Sequence, residues 1–463
     1  MQPQPAQDKI LGLKDVVLMS FFANLGIRWI PVAAGIGPSS LLFWLIGALC
    51  FFLPFALIIS ELSNLYPEMG GMYAWIKHGL GKEAAFISAW CYWVVNFFYY
   101  PAILTFFASN FAYALLRPQL ANNELFVTLV VIITFWILTI ALLGGLKVSK
   151  WMTETGGIIG SLIPILLLMG LGGFALFYFH HSMTPISLQS LLPNQNIMGN
   201  LSTLSILMFA MAGLEVVPTF ASSVHNPHRN LPRGLIISAI LIFACYTLGT
   251  VAMNIIATPA EIQKTTGLIS TFALINGRLH MTWLTEILAC LLSFAELAAL
   301  SLWIIAPAVM FFQCTEGKVL PPWLKKTNRH NMPVNAFILQ AILVSVVILL
   351  TTLLPSVADM YQVLVLMTTA LYFLPYVLLI FAYFRIKNRN LSTPDLIPGG
   401  RASAYGLGIL TLISLLFGIG FCFVPTAGMS PHALFVYEAE LIGGPVILVV
   451  AGMLFYTARR HHH

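Results

Sequence analysis

Long apolar runs dominate the chain, and short connections rich in charged residues, glycine or proline separate them. A helix that crosses a bilayer needs about 20 mostly apolar residues, and the runs lack the ~10-residue alternating segments of a membrane barrel. The pattern predicts an all-α membrane protein with twelve transmembrane helices. The predicted spans are 13–36, 41–62, 84–116, 125–143, 153–179, 199–224, 234–257, 282–314, 334–354, 357–384, 404–425 and 437–457.

The composition agrees with a membrane protein. Hydrophobic residues make up 59% of the 463 residues and charged residues only 8%, whereas a soluble globular chain carries about 25% charged residues. This excludes an ordinary soluble enzyme, a nucleic-acid-binding protein and a disordered scaffold, and makes the lipid bilayer an expected partner. The six cysteines lie in or beside apolar runs without a CxxC spacing, and no P-loop is present. We therefore expect no metal, no cofactor and no direct use of ATP.

The basic residues are distributed unevenly between the two sides of the predicted bundle. With the N-terminus in the cytoplasm, 18 of the 22 basic residues fall at the inner side, while Arg117, Lys264 and Arg278 fall in outer connections. Inner loops of membrane proteins carry such an excess. We expect both termini in the cytoplasm, at a bacterial cytoplasmic membrane. The net charge of +6 then reflects topology, and no nucleic-acid partner is needed to explain it.

Two of the apolar runs are interrupted at matching places. The first contains Gly26, Arg28 and Pro31, and the sixth contains Gly213, Glu215 and Pro218, with each proline five residues after its glycine. Glycine and proline weaken a helix, and helices broken at corresponding positions of two halves indicate a transporter's binding site. The alternative is a pair of kinked structural helices.

The spacing of the two interruptions suggests an internal five-plus-five repeat. We expect a first repeat over 1–195, a second over 196–390, and helices 11 and 12 in 391–463. The terminal His461–His463 resembles the remnant of a purification tag.

Four connections on the predicted inner side carry recognisable motifs: Glu61 to Trp75 with Gly79 and Gly81, Asn226 to Arg233, Glu316 to Pro321, and Ile397 to Gly400. Together they resemble the amino acid–polyamine–organocation (APC) transporter superfamily across nearly the whole chain. The start of the fifth helix and the stretch Ala295-Glu296-Leu297 are most similar to the glutamate/GABA antiporter branch. The resemblance implies a LeuT-type inverted repeat of five plus five helices with two extra C-terminal helices. It also implies secondary transport or exchange of an amino acid by alternating access.

The resemblance also implies a binding site at the two breaks. The substrate carboxylate would lie against N–H groups of Leu25, Gly26 and Ile27, beside Asn24, because a helix N-terminus favours anions. The ammonium would lie against carbonyls around the sixth break, formed by Ala210, Met211, Ala212 and Gly213. Side chains expected around the site are Phe209 as an aromatic lid, Asn96, Trp303, Tyr372 and Tyr376. Each of these could instead be an ordinary packing residue.

Three ionisable residues lie within the apolar runs: Arg28, Glu215 and Glu296. Each costs about 2.5–3.5 kcal/mol at a helix centre and so needs a partner or water. Arg28 is expected either to pair with Glu215 or Glu296 as a gate or structural bridge, or to bind an acidic substrate group with its planar guanidinium.

The coupling mechanism is open at the level of sequence. Some proton-coupled relatives carry a lysine early in helix 5, and here no lysine follows Lys150 in that stretch. Pure exchange, or proton coupling through Glu215 or Glu296, remains. The alternatives for function are a polyamine or amine carrier of the same fold, against which Arg28 argues, and a non-transporting receptor. The oligomeric state is left open.

Overall fold

The protein is an assembly of helices in a computed structural model that describes residues 9–180, 182–192, 197–262, 268–269, 271–273, 283–315, 319–352, 357–389, 397–422 and 443–460. In these ranges the β-type contacts are two isolated bridges, Leu11 with Val224 and Thr327 with Pro333. The predictions for Lys264, Arg278, the Glu316–Lys318 motif residues and the repeat boundaries at 195 and 390 lie outside the described residues.

Helices make up most of the described residues. In chain order they are α1 Leu13–Asn24, α2 Trp29–Ala34, α3 Ser39–Leu65, α4 Met72–Leu80, α5 Lys82–Ala114, α6 Glu124–Leu142, α7 Leu146–Tyr178, α8 Ile197–Met211, α9 Pro227–Ile256, α10 Thr285–Gln313, α11 Val334–Thr351, α12 Val357–Lys387, α13 Gly400–Cys422 and α14 Gly444–Arg460.

Nine helices in the described ranges contain segments long and apolar enough to cross a membrane. They are α3, α5, α6, α7, α9, α10, α11, α12 and α13. The other three predicted spans are shorter pieces: α1 with α2, α8 with the 3-10 segment Val217–Ser223, and α14. The structure therefore supports a polytopic all-helical membrane protein, while the count of twelve and the inverted repeat remain predictions.

One face of α6 illustrates why lipid must surround this bundle. Leu129, Ile133, Ile137 and Ile140 are 50–64% exposed and repeat every three or four residues, so they share one side of the helix. A continuous apolar stripe of this kind is stable in a bilayer and unfavourable in water.

The segment after α3 differs from the sequence prediction, which treated it as a connection. It forms α4, a nine-residue helix that begins after Gly71 and ends before Gly81, both with positive φ. Gly79 allows α4 to pack closely on α12, because a Cβ there would lie 2.6 Å from Ala382. The helix was missed because its apolar run is too short to indicate a membrane span.

The broken helices lie at the centre of the bundle. α1 packs against α7, α9 and α10, while α8 packs against α2, α3, α12 and α13. The long helix α5 packs against both α10 and α12. Residues on these helices therefore face one another around the two interruptions.

Candidate functional site

The first interruption separates α1 from α2 by four residues, 25–28. The Leu25 N–H still donates to the Phe21 carbonyl in helical fashion, at 2.8 Å, so Leu25 is not the open donor that the resemblance implied. The next N–H, that of Gly26, donates to the Asn24 carbonyl at 2.9 Å in a tight turn and to the Tyr246 hydroxyl at 3.0 Å. The backbone of the break is therefore satisfied partly from another helix.

The second interruption lies between Met211 and the 3-10 segment that begins at Val217. Gly213 has a φ of +122°, a conformation that residues with a side chain rarely adopt. A Cβ at Gly213 would also lie 1.9 Å from Asn24 Oδ1. This glycine therefore permits the turn and brings the two breaks into contact.

The Tyr246 hydroxyl joins the two breaks. Besides accepting from the Gly26 N–H, it lies 2.8 Å from the Asn24 carbonyl and 3.0 Å from the Ala210 carbonyl. The hydroxyl can donate its one proton to either of these two oxygens. Its ring stacks on Trp44 at 4.6 Å. Sequence analysis missed Tyr246, because a single tyrosine in an apolar helix carries no motif; the only signal is that a buried hydroxyl requires a partner.

Aromatic rings pack against one another beside the breaks. Phe209 contacts Tyr372 at 5.3 Å and Trp29 at 5.7 Å, both edge-on. Trp303 lies 5.8 Å from Tyr372, and its indole N–H donates to the Ala23 carbonyl at 2.8 Å. Phe209, Trp303 and Tyr372 are thus in mutual contact, and all three are buried.

Arg28 forms a buried ion pair with Glu296 of α10, with Nη1 and Oε2 2.6 Å apart. Its Nη2 donates to the Tyr99 hydroxyl at 3.1 Å, and its guanidinium lies 4.6 Å from the centre of the Trp29 ring. Of the two partners expected from sequence, Glu296 is therefore the one that Arg28 contacts. The pair leaves no net charge at this position.

Glu215 lies in the second break and is held by three tyrosine hydroxyls. Tyr92 and Tyr372 donate to Oε1 at 2.7 and 2.5 Å, and Tyr376 donates to Oε2 at 2.5 Å. The Tyr376 hydroxyl also accepts from the Gly213 N–H at 3.0 Å. Glu215 is thus linked to the backbone of the break through the Tyr376 hydroxyl. The three hydroxyls are neutral, so these contacts provide no positive charge to balance the carboxylate.

Among the predicted site residues, two buried amides each keep an acceptor oxygen without a hydrogen-bond partner in the described part of the chain. They are Asn24 Oδ1 and Asn96 Oδ1, whose amide nitrogens donate within their own helices, to Ser20 and Tyr92. An unpaired buried acceptor is unusual in a folded protein. Asn24 Oδ1 lies against Gly213, at the point where the two breaks meet.

The remaining predicted residues contribute backbone rather than side chains. The Ala212 N–H donates to the Phe209 carbonyl at 3.0 Å, and the Ile27 carbonyl accepts from Ile30 at 3.2 Å. The Met211 side chain points towards Gly47 of α3, where an added Cβ would meet its Cε at 2.5 Å. A ligand between the breaks would therefore meet Met211 through its main chain.

Comparison with known proteins places this site in context. The amino acid permease family model matches residues 11–450. An uncharacterized transporter of Legionella pneumophila is 29% identical over 98% of this chain and 97% of its own length. A glutamate/gamma-aminobutyrate antiporter of Lactococcus lactis is 25% identical over 96% of this chain and 91% of its own. A probable agmatine/putrescine antiporter of the same species is 25% identical over 83% and 80%.

The family match spans both interruptions and the helices that surround them. The family and the relatives are transporters and permeases, so the chain is a membrane transport protein and not an enzyme. With the match covering nearly its whole length, the chain belongs to the amino acid permease family of the APC superfamily.

Proposed function

We propose that this protein is a secondary active amino-acid transporter or exchanger that binds its substrate between the two broken helices. The observation that supports this most directly is the convergence of freed backbone groups on one point. The Gly26 N–H and the Ala210 carbonyl both bond to the Tyr246 hydroxyl. A substrate carboxylate could accept a hydrogen bond from the Gly26 N–H, and a substrate ammonium could donate one to the Ala210 carbonyl. The two breaks therefore present partners for both charged groups of an amino acid at one point.

The conformation described here is closed around the proposed site. Arg28, Glu296, Phe209 and Trp303 are each 6% exposed or less. At one end of the broken helices, Ile10 and Leu11 donate to the Ser223 carbonyl at 2.9 and 3.0 Å. Alternating access requires that such contacts break on one side at a time, and this short backbone pairing joins the start of α1 to the end of the second broken helix.

Glu215 is the better candidate for proton coupling of the two buried glutamates. Glu296 is already neutralised by Arg28, so protonating it would leave the arginine charge unpaired. Glu215 contacts neutral tyrosine hydroxyls. Protonation of its carboxylate would therefore neutralise a buried charge, without leaving a partner's charge unpaired. Pure exchange, without a coupled proton, is the alternative.

A specific observation favours a second candidate, an amine or polyamine carrier. Sequence analysis weighed Arg28 against it, but the Arg28 charge is cancelled by Glu296 at 2.6 Å. Counting Arg28, Glu296 and Glu215 gives a formal charge of −1 around the breaks, which would suit a substrate with a net positive charge. One relative is named for agmatine and putrescine, and another for glutamate and gamma-aminobutyrate.

Reconstitution distinguishes these functions. The purified protein is reconstituted in liposomes, which are loaded in turn with each of twenty amino acids or several amines. Uptake of the same compound in labelled form is then measured with and without a pH gradient. We expect counterflow of one or more amino acids, lost in Gly26→Leu because a Cβ there would lie 2.7 Å from Trp29 Nε1. Counterflow of amines alone would favour the second candidate. Transport of neither class would refute both.

A further inference from the structure

The ring of Tyr246 is held in place by a tryptophan of a neighbouring helix. Trp44 of α3 stacks on the Tyr246 ring, with the two centroids 4.6 Å apart and the ring planes 7° from parallel. Both side chains are fully buried. Aromatic pairs in contact prefer an offset-stacked or edge-on arrangement, so any other orientation of the Tyr246 ring would lose this contact. The stack therefore fixes the direction in which the Tyr246 hydroxyl points.

The indole of Trp44 is also anchored to the helix that carries Tyr246. Its Nε1–H donates to Thr250 Oγ1 at 3.0 Å, and Thr250 lies one turn after Tyr246 on α9, so the two side chains share one face. The Thr250 hydroxyl donates its own proton to the Tyr246 carbonyl at 2.7 Å, which leaves its oxygen to accept from the indole. Trp44 thus contacts α9 through its ring face and through its N–H, and we call this arrangement the Trp44–Thr250 clamp.

Two glycines bring the helices of the clamp close to both breaks. Gly249 of α9 packs against α2, because a Cβ there would lie 2.7 Å from Ile30 Cδ1. Gly47 of α3 packs against the end of α8, because a Cβ there would lie 2.5 Å from Met211 Cε. The clamp helices therefore contact both the helix that follows the first break and the helix that precedes the second.

The Tyr246 hydroxyl bonds to the backbone groups that the substrate would use. It accepts from the Gly26 N–H at 3.0 Å and lies 3.0 Å from the Ala210 carbonyl. A substrate carboxylate and ammonium need the same two groups, so the hydroxyl competes with the substrate for them. When only a fraction of the molecules is competent to bind, the apparent affinity falls by that fraction. Contacts that hold Tyr246 in this position therefore weaken substrate binding.

We propose that the Trp44–Thr250 clamp sets the substrate affinity by holding the Tyr246 hydroxyl across the two breaks of the ligand-free protein. Trp44 is then a positioning residue that acts through Tyr246, and the substrate must displace the hydroxyl in order to bind. A simple packing role for Trp44 makes a different prediction, since damaged packing would leave the affinity unchanged or weaken it. The inference rests on the proposed function, with its substrate site at the breaks.

The test measures binding to the purified, detergent-solubilised protein. The Kd of each of twenty labelled amino acids is determined for the wild type, Trp44→Phe and two variants of Thr250. We expect the Kd of any amino acid that binds to fall about 3–10-fold in Trp44→Phe, because the stack and its anchoring hydrogen bond are weakened. Thr250→Val keeps the indole and should lower the Kd in the same direction by less. Thr250→Ser keeps the hydroxyl and should retain the wild-type Kd.

A double-variant cycle shows whether Trp44 acts through Tyr246. The Kd of Trp44→Phe/Tyr246→Phe should match that of Tyr246→Phe alone within about twofold, because no hydroxyl is left for the clamp to hold. Trp93→Phe is the matched control and should keep the wild-type Kd. Trp93 is a buried tryptophan that makes the same two kinds of contact elsewhere, stacking on Phe311 at 5.2 Å and donating to Gln340 at 2.8 Å.

Three binding results would overturn the inference. They are an unchanged or higher Kd in Trp44→Phe, additive effects of the two substitutions in the double variant, and an equal fall of the Kd in Trp93→Phe.

Hydrogen exchange separates this inference from the proposed function. In the ligand-free protein, the segment 24–30 contains the Gly26 N–H, and its exchange should be about threefold faster or more in Trp44→Phe and Tyr246→Phe, and unchanged in Trp93→Phe. Exchange at the wild-type rate in Trp44→Phe would refute the clamp, whichever ligand binds. Faster exchange in a protein that binds none of the amino acids would leave the clamp standing, but would refute amino-acid transport and, with it, the role of the clamp in affinity.

Discussion

At the scale of single residues, Glu296 neutralises the charge of Arg28, which allows an arginine to lie inside an apolar segment. Each side chain is 3% exposed or less and their atoms meet at 2.6 Å. Removing one partner leaves an uncompensated buried charge, which costs about 3–5 kcal/mol. We expect Arg28→Met and Glu296→Met each to lower the thermal stability of the detergent-solubilised protein. The double variant should recover much of the loss, because two apolar side chains can replace a buried pair.

The matched control for this prediction is the second buried ion pair, Lys387 with Glu61, at 2.5 Å. Glu61→Gln should lower stability without changing the substrate profile, because this pair joins α12 to α3 away from the breaks. If Arg28→Met is as stable as the wild type and keeps its substrate profile, Arg28 neither depends on Glu296 nor binds substrate.

The three tyrosines around Glu215 give a second prediction at this scale. A hydrogen bond to a charged group contributes about 1.5–3 kcal/mol, so Tyr372→Phe and Tyr376→Phe should each lower stability in that range at neutral pH. Tyr376→Phe should have the larger effect, since its hydroxyl also accepts from Gly213. Tyr361→Phe is the control, because that buried hydroxyl has no hydrogen-bond partner among the described residues. Equal thermal stability of all three variants would contradict the proposed role of the hydroxyls.

Sequence could identify which buried residues matter but not how they pair. Arg28, Glu215 and Glu296 stand out because a charge in an apolar run is costly wherever it lies. The choice of Glu296 over Glu215 depends on the packing of α1 against α10, and the three tyrosine contacts depend on α5 and α12 meeting at the break. Such contacts join residues 123–268 positions apart, so the local sequence pattern cannot predict them.

At the scale of helices, the two interruptions behave as one unit through Tyr246. Tyr246→Phe removes the hydroxyl that contacts both the Gly26 N–H and the Ala210 carbonyl. The Gly26 N–H keeps its bond to the Asn24 carbonyl, but the Ala210 carbonyl loses this donor, and leaving a buried carbonyl unpaired costs about 1–3 kcal/mol, so the ligand-free variant should melt at a lower temperature. If the substrate binds those same groups, it should restore the loss. We therefore expect a larger substrate-induced rise in Tm for Tyr246→Phe than for the wild type.

Tyr383→Phe is the control for the helix-scale prediction. It removes another buried hydroxyl, the one that donates to Glu61 at 2.6 Å, and should lower stability without enlarging the substrate-induced shift. A shift in Tyr246→Phe no larger than that of the wild type would indicate that the freed backbone groups of the breaks do not bind substrate.

The positions of the helix breaks follow from local chemistry, whereas their mutual contact does not. Gly26 and Gly213 lie just beyond the ends of α1 and α8. Each is followed five residues later by a proline, and because both residue types weaken a helix, the place of each break is visible in the sequence. The close approach of Asn24 to Gly213 depends on the surrounding bundle. α4 shows the opposite case, since Gly71 and Gly81 delimit it plainly but its length gave no reason to expect a helix.

At the scale of the whole molecule, the distribution of charge makes a prediction about orientation. If the excess of basic residues lies in the cytoplasm, the loop containing Lys326 is inside and the connection containing Arg117 is outside; both side chains are exposed. In a cysteine-free background, a membrane-impermeant maleimide should label Arg117→Cys in intact cells and Lys326→Cys only after permeabilisation. Uptake by both variants would establish that they are folded. Labelling of Lys326→Cys but not Arg117→Cys in intact cells would invert the topology and, with it, place the loop before α11 on the outer face.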